Sequence, residues 1–98
     1  MHTVLLTIRY DGRAYAGWQR QDGFSTVQGC LEDALLRVFD EPIVVHGAGR
    51  TDAGVHALRQ TAHLRLPRAF PPHGLRAALN GNLPQDIAVV DVRAVPAS

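Results

Sequence analysis

The sequence predicts an α+β domain whose elements follow one another in the order β-α-β-β-α-β. Residues 58–66 alternate between apolar and polar side chains, which is typical of a strand with one buried face. Residues 26–39 carry apolar side chains at helical spacing, and a chain of 98 residues suits one domain with a single core. This order predicts a four-stranded antiparallel sheet with two helices on one face, the ferredoxin-like architecture, and leaves the other face open.

The first half of the chain predicts a strand, a long connector and a helix. Residues 3–10 form the strand because they are apolar and β-branched. Residues 11–25 form a connector longer than an ordinary structureless loop, and such connectors tend to be functional. A capping box over residues 25–28 starts the helix, and Pro42 stops it. The predicted apolar stripe of this helix consists of Val27, Leu31, Ala34, Leu35 and Val38.

The second half predicts three more strands and one more helix. Residues 43–45 begin the second strand. In the third strand one face is predicted to be buried, with Leu58, Ala62, Leu64 and Leu66, and the other polar, with Arg59, Thr61, His63 and Arg65. Pro71 and Pro72 open the second helix and Asn80 and Gly81 close it. Residues 87–95 form the fourth strand.

Composition excludes several classes of protein. No apolar run approaches the ~18–20 residues of a membrane span. The only cysteine, Cys30, lies on the predicted helix face as a buried, inert thiol, and one cysteine forms no internal disulfide. Both features favour a cytoplasmic protein without a membrane partner. All ten basic residues are arginine, which codon usage explains better than function, so only the placement of the arginines can indicate nucleic acid.

The segment from Gly47 to His56 is the strongest candidate for an active site. It places the carboxylate of Asp52 among small residues, two positions after Arg50 and four before His56. Glycine patterns for dinucleotides and nucleoside triphosphates both fail here. No second nearby acid completes a metal site, and we interpret His46 as a strand-end residue and His63 as a polar residue of the sheet. A glycosidase pair would need Asp11 of the first connector to converge with Asp52 in space, and we favour a turn at Asp11. An arginine beside one carboxylate suits a nucleophile or general base, whereas the structural alternative is an Asx turn or helix cap.

The first connector points to RNA. It interleaves aromatic rings with arginines and amides, the combination that stacks on splayed bases and holds phosphates. The candidate binding residues are Arg13, Tyr15, Trp18, Gln19 and Arg20. The alternative is that Tyr15 and Trp18 pack the connector onto the domain, and we expect at least one of them to do so.

Five ordered blocks resemble the tRNA pseudouridine synthase A (TruA) family over nearly the whole chain. The blocks are residues 9–21, Val27-Gln28 with Leu31-Glu32, residues 49–57 with Gln60, residues 78–80, and residues 83–87. A single Gly-Arg-Thr-Asp would be a weak signal, but five blocks in the family's order are a strong one.

The resemblance implies isomerisation of uridine to pseudouridine at positions 38 to 40 of the tRNA anticodon stem-loop, without cofactor or metal. It implies that Asp52 is the essential carboxylate, as nucleophile or as base, and that Arg50 helps to hold the flipped-out nucleotide. Thr51, Gly54 and His56, which match the same motif, are predicted to contact the substrate. A target base must leave the stack because its reacting atoms are otherwise inaccessible.

Family members are longer and carry a second α/β half that completes the cleft. The resemblance therefore implies that residues 1–98 are one domain, the N-terminal half, with the C-terminal half absent. We expect this domain to fold but to be weak or inactive alone. Family members are dimers, so a homodimer is an expectation. Two alternatives stay open at this point: a non-catalytic RNA-binding module, and a ferredoxin-like interaction domain that pairs through its open sheet face.

Overall fold

The computed structural model describes residues 2–49, 54 and 57–95. Their elements are β1 (His2–Tyr10), α1 (Val27–Phe39), β2 (His46–Gly47), β3 (Ala57–Leu66), α2 (Pro72–Asn80) and β4 (Ile87–Ala94), with a 3₁₀ turn at Gly12–Ala14. The four strands form one antiparallel sheet in the order β2-β3-β1-β4. This arrangement confirms the predicted ferredoxin-like fold.

Helix α1 begins one residue later than the capping box predicts. Thr26 is the N-cap, and its hydroxyl accepts a hydrogen bond from the backbone N–H of Gly29 at 3.2 Å. The helix ends at Phe39, before Pro42 is reached, because Asp40 adopts a left-handed conformation with φ of 59°. Its buried residues are Val27, Leu31, Ala34, Leu35 and Phe39, whereas the predicted stripe residue Val38 is partly buried.

The second strand was predicted to begin at residues 43–45, and that position is wrong. β2 contains only His46 and Gly47, which pair with His63 and Ala62. The backbone of Val45 bonds to α1 instead: its N–H donates to Glu32 Oε2 and its C=O accepts from Gln28 Nε2, both at 3.0 Å. Because these two helix side chains occupy the backbone N–H and C=O of Val45, that residue lies outside the sheet ladder. Its side chain is buried in the core.

A β-bulge in β3 corrects the prediction for Leu58. Ile8 pairs with Gln60 but Tyr10 pairs with Ala57, so Leu58 and Arg59 both lie opposite Arg9. The extra residue turns Leu58 to the open side, where it is 79% exposed. The other three residues of the predicted apolar face, Ala62, Leu64 and Leu66, are buried.

Strand β4 carries a second irregularity and is braced by α2. Its register against β1 shifts between Thr7 and Ile8, at the same end of β1 as the bulge in β3. Asn80, the last residue of α2, accepts from the Val89 N–H at 2.8 Å and donates to the Val89 C=O at 2.9 Å. The strand ends at Ala94, one residue earlier than predicted.

The two faces of the sheet differ as the alternation predicts. One face packs with α1 and α2 around the core, in which β1 contributes Val4, Leu6, Ile8 and Tyr10. We call the other side the open sheet face; from the strand registers it carries Thr3, Leu5, Thr7, Arg9, His46, Leu58, Arg59, Thr61, His63, Arg65, Ala88, Asp91 and Arg93. Within the described ranges no helix is long and apolar enough to cross a membrane.

The bulge in β3 can be tested with two leucines of that strand. Leu64→Ala should lower the free energy of unfolding by about 2–5 kcal/mol, because Leu64 is fully buried and truncation leaves a cavity. Leu58→Ala should change it by no more than about 0.5 kcal/mol, because that side chain is exposed. Equilibrium unfolding in urea measures both, and a large cost at Leu58 would contradict the placement of the bulge.

Candidate active site

The structure brings the first connector and the Gly47–His56 segment together. The backbone N–H of Gly54 donates a hydrogen bond to the C=O of Tyr15 at 3.2 Å. Gly54 is exposed and has a φ of +79°, which glycine adopts without strain. Asp52, Arg50, Thr51 and His56 lie outside the described residues, so their roles stay predictions. Residues on both sides of Asp52 are nevertheless attached to the rest of the domain.

Strand β3 holds the beginning of this segment. The N–H of Ala48 donates to the C=O of Thr61 at 2.9 Å, and Gln60 Nε2 donates to the C=O of Gly49 at 2.6 Å. The segment therefore leaves the sheet from a fixed backbone position and returns to it at Ala57, where β3 begins.

Trp18 fixes the segment from the other side. Its indole is 2% exposed and lies beside Tyr10, with 6.3 Å between ring centroids. A Cβ atom at position 47 would lie 2.5 Å from Trp18 Nε1 and 2.7 Å from Trp18 Cε2. Only glycine leaves room for the indole to lie this close to the backbone of residue 47. Packing therefore explains the small residue at this position, in addition to the functional reason that the sequence predicts.

Tyr15 connects the segment to the start of β4. Its ring is buried, and its hydroxyl donates a hydrogen bond to Asp86 Oδ1. Burial, and after it this hydrogen bond, raises the pKa of Tyr15 above its ordinary value of 10.0. Cys30, near the same hydroxyl, is partly rather than fully buried, and burial raises the pKa of its thiol.

Both aromatic side chains thus pack the connector onto the domain, as the structural alternative expects. The faces of Tyr15 and Trp18 are not available at the surface of the described structure. A direct role of either ring in binding RNA stays a prediction, and their contacts give them a role in positioning the segment that contains Asp52.

The polar connector residues point outwards. Arg13 is exposed, and its guanidinium Nε donates to both carboxylate oxygens of Asp11 at 3.0 Å. Arg20 is half-exposed and reaches α1, where its Nε lies 2.7 Å from Glu32 Oε1 and its Nη2 3.4 Å from Asp33 Oδ1. Gln19 is exposed beside β2. Both guanidinium groups are therefore paired with carboxylates in this structure, Arg13 with Asp11 and Arg20 with Glu32 and Asp33.

A cleft of about 640 Å³ lies where β1 ends and where β3 and β4 begin. Both register shifts of β1 are beside it, and bulges often aim side chains at active sites. The residues around it are Arg9, Tyr10, Asp11, Arg13, Ala57, Leu58, Gln85, Asp86 and Ala88. Since Ala57 follows His56 directly, the candidate catalytic segment enters the domain at this cleft.

Sequence reasoning missed Arg9 and Leu58 as cleft residues. The available signal for Arg9 was that it is the only charged residue of the predicted strand, but no local pattern indicates the bulge that exposes Leu58. Among the residues with described positions, no group of three or more His, Cys, Asp or Glu side chains could hold a metal ion.

Comparison with known sequences identifies the family of the chain. A sequence model described as tRNA pseudouridine synthase matches residues 6–98. The chain belongs to the tRNA pseudouridine synthase family. The family match covers both the connector and the Gly47–His56 segment, which the fold brings into contact.

Individual members of the family are similar over most of the chain. The tRNA pseudouridine synthase A of Rhodospirillum rubrum is 55% identical over 91 residues, which are 92% of this chain and 33% of the relative. That of Rhodopseudomonas palustris BisA53 is 53% identical over 92 residues, 93% of this chain and 37% of the relative. The tRNA pseudouridine synthase A of Methylacidiphilum infernorum is 50% identical over 91 residues, which are 93% of this chain and 36% of the relative. The chain therefore spans about a third of the length of these curated relatives.

The contact between Trp18 and Gly47 predicts different results for two glycines of one segment. Gly47→Ala should displace the indole, lower the free energy of unfolding by about 1–3 kcal/mol and increase fluorescence quenching by acrylamide. Gly49→Ala should do neither, because a Cβ there meets nothing within 4 Å. Trp18 is the only tryptophan, so its fluorescence reports this site alone. Equal effects at the two positions would contradict the close approach.

The hydroxyl of Tyr15 should contribute stability that depends on pH. Tyr15→Phe should lower the free energy of unfolding by about 1–3 kcal/mol at pH 8, because the bond to Asp86 is lost. The pKa of Tyr15 is raised in the folded state, so this contribution is complete below about pH 10, the pKa of an unfolded tyrosine, and declines as pH rises further. Urea unfolding should show the difference between wild type and variant narrowing above pH 10. A difference that stays constant from pH 8 to pH 11 would be inconsistent with this account.

Proposed function

We propose that this chain supplies the catalytic carboxylate of a tRNA pseudouridine synthase that acts at positions 38 to 40 of the anticodon stem-loop. Asp52 is the carboxylate. The observation that carries the proposal is the pair of contacts joining the Asp52 segment to the connector, Gly54 to Tyr15 and Gly47 to Trp18. These contacts support the residues on both sides of Asp52 from elements of the fold, as a preorganised catalytic group requires.

The proposed reaction is an isomerisation and needs no external reagent. The N1–C1′ bond of the uridine breaks, and C1′ joins C5 of the same uracil. C5 loses its proton, and N1 gains one. Asp52 acts either as a nucleophile or as a base in this sequence, and Arg50 keeps the carboxylate ionised and oriented.

The cleft at the end of β1 is the proposed place for the extruded nucleotide. Arg9 and Arg13 line it, and guanidinium groups suit contacts to phosphate. The exposed Leu58 gives the same cleft an apolar surface for a base. Thr51, Gly54 and His56 are the proposed contacts from the catalytic segment, and a second part of the protein closes the cleft, as the greater length of the relatives suggests.

Release of tritium from uridine labelled at C5 in a tRNA transcript tests the proposal. The 98-residue chain alone should release little, because the cleft has one wall. In a chimera the chain replaces the 91 matching residues of the Rhodospirillum rubrum relative, and full release is expected. Asp52→Asn in that chimera should reduce the rate to background while tRNA affinity stays within about twofold.

Asp40→Asn in the same chimera is the matched control. Asp40 is exposed and has a left-handed backbone conformation that asparagine also tolerates, so release should be unchanged. Undiminished release by the Asp52 variant would refute the role of that carboxylate. Rapid turnover by the isolated chain would refute the need for a second wall.

A further inference from the structure

The open sheet face concentrates positive charge. Four arginines, Arg9, Arg59, Arg65 and Arg93, lie on it with one acid, Asp91. Arg93 Nη2 is 3.8 Å from Asp91 Oδ2, and within the described part of the chain no carboxylate lies within ion-pair distance of the other three. The whole chain has a formal net charge of only +1, so this charge is specific to one face.

Two histidines extend the same surface across the sheet. His46 and His63 pair across β2 and β3, and their rings are stacked with centroids 5.0 Å apart and planes at 20°. Together with Arg65 they border a hollow of about 530 Å³ whose rim also includes Glu41. Imidazole and guanidinium groups can both donate hydrogen bonds to phosphate oxygens.

The surface is continuous with the cleft. Leu58 borders the cleft and Arg65 borders the hollow, and they are seven positions apart along β3, about 23 Å at ~3.3 Å per residue. Thr7 and Thr61, which pair with each other, lie between the two ends and add hydroxyl groups. An extended polyanion that enters the cleft at one end can therefore follow the face to the hollow.

We propose that the open sheet face binds the sugar-phosphate backbone of the tRNA, with His46, His63 and Arg65 forming a phosphate site remote from the reacting nucleotide. The identity of the partner rests on the proposed function, but the surface does not depend on Asp52. Charge complementarity favours RNA over a second copy of the chain, since two such faces would repel each other.

Binding of a fluorescent, unmodified tRNA transcript by the 98-residue chain tests the surface. Arg65→Gln should weaken binding about 4-fold at 0.15 M salt and make the slope of log K against log salt shallower by about 0.7–0.9, as the loss of one phosphate contact requires. Adding His63→Gln should weaken binding further. The matched controls are Arg76→Gln and its double variant with His73→Gln, both on exposed positions of α2; they should bind as wild type does.

The outcomes separate the possibilities. Equal affinity for the Arg65 and Arg76 variants, or no binding by the wild-type chain, overturns the proposal. The proposal is also overturned if sedimentation equilibrium shows a dimer of the wild-type chain that Arg65→Gln dissociates. The open sheet face would then be an interface between two chains. Each variant should keep the melting temperature of the wild-type chain. A difference in tRNA affinity then reflects binding and not loss of folded protein. The proposed catalytic role of Asp52 is tested by a different experiment, the tritium-release assay with Asp52→Asn, so the two proposals can fail independently.

Discussion

The close contact between Trp18 and Gly47 holds the connector against the segment that contains Asp52. The indole packs against Tyr10 of β1 and against the backbone where β2 ends. The Trp18 C=O also accepts from the N–H of Gln28 at 3.0 Å, in the first turn of α1. One buried residue thus sets the spacing between the central strand, the start of a helix and the segment that contains Asp52. A movement of the indole ring would disturb its contacts with Tyr10 and Gly47.

The connector separates its two kinds of side chain. The rings of Tyr15 and Trp18 turn inwards and carry the packing, while Phe24, Arg13, Gln19 and Arg20 remain at the surface. A loop of this length usually loses much conformational freedom when it becomes ordered. Here buried rings and backbone bonds to Ser25, Gln28 and Gly54 offset that loss. The same residues can therefore give the connector a defined shape and still leave its polar groups accessible.

The sequence predicted what depends on local periodicity and missed what depends on distant contacts. Alternation identified β3, and the apolar stripe identified α1, because each pattern follows the geometry of its own element. The second strand was misplaced because side chains of Gln28 and Glu32, more than ten residues away, take the backbone groups of Val45. Leu58 was assigned to the core because a bulge adds a residue without disturbing the pattern on either side. The motif around Asp52 indicated a site, but only the folded chain reveals that Tyr15 and Trp18 support it.

The side chain of Asn80 has a consequence for how chains meet one another. β4 is an outer strand of the sheet, and outer strands offer unpaired backbone groups on which another polypeptide can assemble. The amide of Asn80 already occupies both backbone groups of Val89, as a neighbouring strand would. An approaching strand would have to break both bonds before it could continue the ladder there. This helix residue therefore protects the outer strand against edge-to-edge aggregation at Val89, through two hydrogen bonds within the folded chain.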